Sequence, residues 1–183
     1  MTFDETKATQ VAAKFLKLAG GRLKYLALIK LLYKLDREAL NRWGVPVTTD
    51  RYVSMKLGPV TSNIYNLIKG SKASASPTFW SSHIEHDGGY SVSLTIDPED
   101  SELSKAEEDL IDEIFAADGG KDGFKLADEC HRDFPEWNDE VGSSSTPIEI
   151  PEILSALGKS EEEFAHTEST ISAQKALAKL LAS

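Results

Sequence analysis

A mainly helical α+β fold, compact around one buried helix, is what the sequence predicts. Three observations lead there. Leu23 to Trp43 (LKYLALIKLLYKLDREALNRW) is long, free of Gly and Pro, and rich in strong helix formers. Helix starts and stops recur on both sides of it, as cap residues and Gly-Gly pairs. A period-2 apolar pattern, the mark of a half-buried strand, occurs in a single stretch, within Phe79 to Ile96.

The elements follow in order. Thr2 and Glu5 have the spacing of a capping box. Val11, Ala12, Phe15, Leu16 and Ala19 then recur at helical spacing until Gly20-Gly21. In the central helix, about 23–43, Leu28, Leu31, Leu32, Leu35 and Leu40 cover one broad side, which Leu26, Ile29 and Tyr33 widen. A helix apolar nearly all round is buried between other elements. Lys30, Lys34 and Arg37, spaced by four and three, form one basic ridge predicted to reach solvent. The simpler reading of that ridge is a solvated helix face; the other is charge directed at a partner.

After Gly44 and Pro46, residues Val47, Tyr52, Val53 and Met55 suggest a short extended piece. Gly58-Pro59-Val60 is strong punctuation, with Pro59 placed to open a helix from about Thr61 to Lys69. Phe79 to Ile96 reads as one β-hairpin. Tyr90, Val92, Leu94 and Ile96 face the core, Trp80 and Ile84 join them from the partner strand, and Asp87-Gly88-Gly89 makes the turn. Ser104 and Glu107 form another capping box before the stripe Leu110, Ile111, Ile114 and Phe115. Asp122 caps a short helix carrying Phe124, Leu126, Ala127 and Cys130, with His131 at its end. Gly142 to Thr146 reads as a linker, Pro151 starts a brief helix through Leu157, and Ser160 caps a last one. The expected division is a domain over residues 1–141, then a linker and C-terminal helical extension over 142–183.

Composition narrows the function classes. The 183 residues are 40% hydrophobic and 27% charged, which suits a soluble domain with a real core. Lysines interrupt every long apolar stretch, so no membrane span is expected. The first ten residues carry acids and no apolar run, so no secretory leader is expected either. A lone cysteine, Cys130, excludes an internal disulfide and fits a reducing cytoplasm. Net charge is −10 and uneven. Residues 1–100 hold 13 Lys and Arg against 10 Asp and Glu, a net of +3; the remainder hold 7 against 20, a net of −13. The acidic half speaks against a nucleic-acid partner, which needs a dense cationic surface. The basic front suits a local acidic partner, or simply the acidic half of the same chain.

Little in the sequence points to catalysis. No phosphate-cradling glycine loop is present, and Cys130 and His131, adjacent on a helix, point apart. His83 and His86 on a strand face opposite sides, which spoils a shared metal with His131 and Cys130. No cofactor or metal is expected. Asp36 is the telling residue. An unpaired carboxylate inside so apolar a helix is costly. With Tyr33 and His131 it is expected to form a buried polar cluster that sets how the His131 helix packs. The competing reading is a surface salt bridge with Arg37 or a neighbour. Phe134 and Trp137 read as core or edge anchors.

Four features stand in a fixed order: Lys30-Leu31-Leu32-Tyr33 followed by Asp36; Gly58-Pro59-Val60 followed by Ile64-Tyr65; Leu103-Ser104 with Glu107; and Leu126 with His131 followed by Trp137. The ordered set resembles the Panacea domain family, the SocA-like antitoxins also described as phage-associated GepA-type proteins. It spans about Val11 to Trp137 and departs from the family pattern at Cys130, where a small residue such as serine would stand. The resemblance implies a bacterial or prophage-borne antitoxin of a toxin–antitoxin system. Such a module binds and neutralises a cognate protein toxin without catalysis, and one scaffold serves many toxins. The candidate partner contacts are Lys30, Lys34, Arg37, Lys56 and Trp137; Tyr33, Asp36, Gly58, Pro59 and His131 read as a structural motif. A second copy of the chain as partner stays open, as do a proteolytic adaptor and a DNA-binding autoregulator of its own operon.

Overall fold

The structure, a computed structural model, describes residues 2–70, 78–138 and 145–181. It is 57% helical, with eight helices among the described residues and two small antiparallel sheets, so the fold is mainly α with some β.

Helix α1 (Glu5–Leu18) is capped by Asp4, whose carboxylate accepts the Lys7 amide at 3.0 Å. The Thr2–Glu5 box does not form, because Glu5 turns instead to accept the Trp80 amide at 2.9 Å. Strand β1 (Arg22–Lys24) takes up the residues expected to start the central helix, pairing Leu23 with Val92. Helix α2 (Tyr25–Trp43) follows and ends at Gly44 in the left-handed conformation. Strands β2 (Tyr52–Met55) and β3 (Gly58–Thr61) form a tight hairpin, leading into α3 (Ser62–Ile68). Pro59 therefore lies in an edge strand, where a missing N–H is tolerated, and does not open the helix.

The expected long hairpin is shorter than its apolar pattern. Phe79–His83 forms a helix, α4, because Thr78 and Ser81 cap it reciprocally. Trp80 is buried as expected, but from that helix. The strands are only β4 (Ile84–His86) and β5 (Ser91–Leu94); Val92 is fully buried, whereas Tyr90 and Ile96 lie outside the ladder and are exposed. Helix α5 (Lys105–Asp118) starts on the expected Ser104–Glu107 box, and α6 (Gly123–Asp133) on Asp122, which accepts the Phe124 and Lys125 amides.

Residues 139–144, which hold most of the expected linker, lie outside the described residues. Beyond them β6 (Thr146–Ile148) joins the second sheet beside β2, giving the order β3-β2-β6. Helix α7 (Ile150–Ala156) follows, with Pro151 in its first turn, and then α8 (Glu161–Leu181). Ile148, Ile153 and Leu154 are buried together with Tyr33, Leu40 and Tyr52, so the segment after residue 145 completes a second core cluster on the main body.

The larger cluster gathers around α2, which is packed by α1, α5, α6, α7, α3, β1 and β3. Ala27 to Tyr33 are buried without a break, as are Leu35, Asp36, Ala39 and Leu40. The central helix is thus sheathed, as its apolar circumference requires.

Candidate functional site

The sheath also covers the basic ridge, which corrects the expectation that it reaches solvent. Lys30 is fully buried, and its ammonium donates to the Pro59 carbonyl at 2.7 Å. Lys34 is nearly so, bound to Asp118 at 2.6 Å and Glu129 at 3.0 Å, and Lys121 closes a box with the same two acids. Burial pushes Asp118 up, but Lys121 and Lys34 outweigh it and hold its carboxyl below the usual range; Lys121 and Lys34 hold Glu129 down as well, against a smaller effect of burial. Arg37 donates to Glu136 at 2.7 Å and lies over the Phe134 ring at 4.3 Å. The ridge faces β3, the end of α5, α6 and the residues after it, not water.

Tyr33 shares the same acceptor, donating its hydroxyl to Glu136 at 2.9 Å. Burial and that carboxylate together push its phenol well above the ordinary value. Asp36 is buried, as expected of a costly carboxylate, but its partners lie elsewhere. It accepts the Val47 and Thr48 amides at 2.9 and 2.8 Å, the Tyr52 hydroxyl at 3.0 Å, and the Thr48 hydroxyl. Asp36 therefore ties α2 to the chain entering β2; it makes no salt bridge to Arg37. Burial pushes its carboxyl up to about 6, and the Thr48 and Tyr52 donors keep it from rising further. Nothing in the sequence marked Thr48, Tyr52 or Glu136 as the partners, since polar contacts eleven to a hundred residues apart leave no local periodicity.

His131 stacks flat on Trp137, ring centroids 3.8 Å apart and planes 12° from parallel. The Trp137 indole donates to the Met55 carbonyl at 3.0 Å, which pins the end of α6 to the β2–β3 hairpin. Gly58 lies between these groups at φ +92°, and a Cβ there would come within 3.0 Å of the Lys30 ammonium and 3.4 Å of the His131 ring. The expected structural motif is thus one assembly for Gly58, Pro59, His131 and Lys30, with Tyr33 and Asp36 in two neighbouring ones.

Burial of the ridge leaves Lys56 as the exposed cation among the expected contacts, at the mouth of a groove of about 790 Å³. Its walls are Tyr25, Leu26 and Ile29 of α2, Met55, Leu57 and Val60 of the hairpin, Tyr65, Tyr90 and Phe124. Leu57, Tyr90 and Phe124 are exposed, at 41%, 72% and 66%. Gly123 lets the start of α6 close one side, since a Cβ there would fall 2.9 Å from the Ala27 nitrogen. Apolar patches of this kind, rimmed by charge, mark interaction surfaces. Reading the sequence for core residues hid it: Tyr90 and Phe124 fit apolar patterns whose buried members are Val92 and Leu126.

The family model of the SocA-like antitoxin Panacea domain matches residues 28–138, which is 111 of the 183 residues. The chain belongs to the Panacea domain family. No curated protein and no solved structure matches it. The matched span of the Panacea domain runs from the first turn of α2 to just past Trp137 and holds the ion box, the Asp36 and Glu136 clusters and the His131–Trp137 stack. It also contains most of the groove, whose Lys24, Tyr25 and Leu26 precede it.

Among the described residues no group of three or more His, Cys, Asp or Glu is arranged to hold a metal, and no helix is long and apolar enough to cross a membrane. His83 ends α4, its ring nitrogen 2.8 Å from the Phe79 carbonyl, instead of standing on a strand. Cys130 is buried, which pushes its thiol up to about 11 and away from the reactive thiolate.

Proposed function

We propose that this chain is the antitoxin of a toxin–antitoxin pair and neutralises a cognate protein toxin by direct, non-catalytic contact. Membership of the Panacea domain family, whose model is that of a SocA-like antitoxin, is the observation that carries the reading. The groove beside α2 supports it. It offers aromatic and aliphatic surface at the edge of a rigid core, the composition that dominates interface energetics. The basic residues of α2 are spent on internal acids or sealed inside, so they supply no dense cationic face for DNA.

The test is growth. The gene adjacent to this one is expressed alone and together with this chain. Arrest by the neighbour alone, relieved by co-expression, is the expected result. Normal growth with the neighbour alone, or arrest that this chain leaves unchanged, would refute the reading.

A further inference from the structure

Most lysines of this chain are paired with its own acids. Lys7, Lys14, Lys17, Lys34, Lys105, Lys121 and Lys159 each lie within ion-pair distance of a carboxylate. Among the described residues four exposed lysines have no such partner: Lys24, Lys56, Lys69 and Lys125. Acids outnumber bases 30 to 20, so partners are not scarce. Nor are the four scattered. Lys24 and Lys56 line the apolar groove beside α2. Lys69 holds its ammonium 4.1 Å from the centre of the Tyr25 ring and 5.6 Å from that of Tyr65, and both rings are groove walls. Lys125 follows Phe124, whose exposed ring is another wall. The one acid of the lining, Asp122, is already engaged, its carboxylate accepting the Phe124 and Lys125 amides. A chain of net −10 thus rims this groove with unpaired positive charge.

We infer that the groove seats an acidic amphipathic segment of the partner toxin. Its apolar side chains enter between Tyr25, Met55, Tyr90 and Phe124, and its flanking carboxylates meet Lys24, Lys56 and Lys69. The inference rests on the antitoxin reading and adds to it the contact surface and the chemistry of the segment received. All three lysines are exposed, so a docked segment reaches them without opening the core. Exposed ion pairs add little affinity each; they act on the rate of encounter and the choice of partner, while the apolar contacts hold the complex. Nucleic acid would suit the lysines but not the walls. Leu26, Ile29, Met55 and Val60 offer bases no ring to stack on, and the net charge of the chain opposes a polyanion beyond the rim.

The test uses the full chain and the product of the adjacent gene, with association and dissociation followed by surface plasmon resonance at low and high salt. All substituted positions are exposed, and the variants should melt with wild type. Lys24→Glu with Lys56→Glu should slow association about tenfold or more at low salt, and far less at high salt. Lys105→Glu with Arg132→Glu makes the same change in net charge outside the groove lining and should alter the rate by no more than about twofold. Phe124→Ala should instead speed dissociation about tenfold. Equal rates for the two charge variants, or unchanged dissociation of Phe124→Ala, would overturn the groove assignment; growth still protected would leave the antitoxin reading standing. A neighbour that wild type neither binds nor neutralises would remove that reading, and the toxin segment with it. A photocrosslink identifies the occupant itself. With p-benzoylphenylalanine in place of Phe124, the toxin peptide recovered should combine an apolar run with net negative charge. A basic or uncharged peptide, a link to a second copy of this chain, or displacement of the toxin by oligouridylate would overturn the inference.

Discussion

His131 and Trp137 stack with their ring centroids 3.8 Å apart, and the Trp137 indole nitrogen reaches back 3.0 Å to the Met55 carbonyl. One aromatic side chain therefore holds both the end of α6 and the β2–β3 hairpin against the body. Trp137→Phe keeps a ring for His131 but loses the donor, and should destabilise by about 1 kcal/mol in urea unfolding followed by circular dichroism. Trp137→Ala also removes the stack and should cost about 3 kcal/mol. Equal stability of all three proteins would show that the anchor is idle.

Asp36 gives a pH dependence with a definite sign. Its folded-state carboxyl is raised to about 6 from an ordinary 3.8. Between those values the folded chain holds the proton more firmly than the unfolded one. The stability contributed by the protonated form is thus complete below about pH 4 and is lost as pH rises through 6. The stability difference between wild type and Asp36→Asn should fall by about 2 kcal/mol from pH 4 to pH 7. A carboxyl carbon signal of Asp36 titrating near 4 would contradict the burial argument.

The box of Lys34, Lys121, Asp118 and Glu129 joins α2, the end of α5 and α6. Lys34→Met leaves two acids sharing one lysine and should destabilise by about 1–2 kcal/mol, since the pairs are largely sheltered from solvent. Both acids titrate below their ordinary values. Their contribution is therefore present above the usual carboxylate range and is lost on acidification through the depressed values. Acid unfolding should begin at higher pH in Lys34→Met; an unchanged acid midpoint would dissolve the box as a stabilising unit.

Much of the fold was legible, and most of the failures share one cause, the exception being α4, whose Thr78–Ser81 cap is local. Helix α2, the Ser104 and Asp122 caps and the start of α7 are written in contiguous residues, and they stand where local chemistry put them. Strands β1 and β6 have three residues each and exist only because β5 and β2 lie beside them. Pro59 fits a helix start by local rule, but pairing of Gly58 with Met55 makes it a strand residue. Spacing placed Lys30, Lys34 and Arg37 on one face correctly. It carried no word of Asp118, Glu129 and Glu136, which arrive from about a hundred residues away to cover that face.

Ile153, only 1% exposed, fills the cluster with Tyr33, Leu40, Tyr52 and Leu154. Ile153→Ala should cost about 2–4 kcal/mol and unfold with the rest of the chain in one transition. A separate early transition would mean that β6 and α7 form a detachable appendage.

Sedimentation velocity of the chain co-expressed with the product of its adjacent gene tests neutralisation by contact. One species heavier than either protein, with the toxin at undiminished abundance in cells that grow, is the predicted result. Restored growth with the toxin depleted and no complex in the gradient would contradict it and identify a proteolytic adaptor instead.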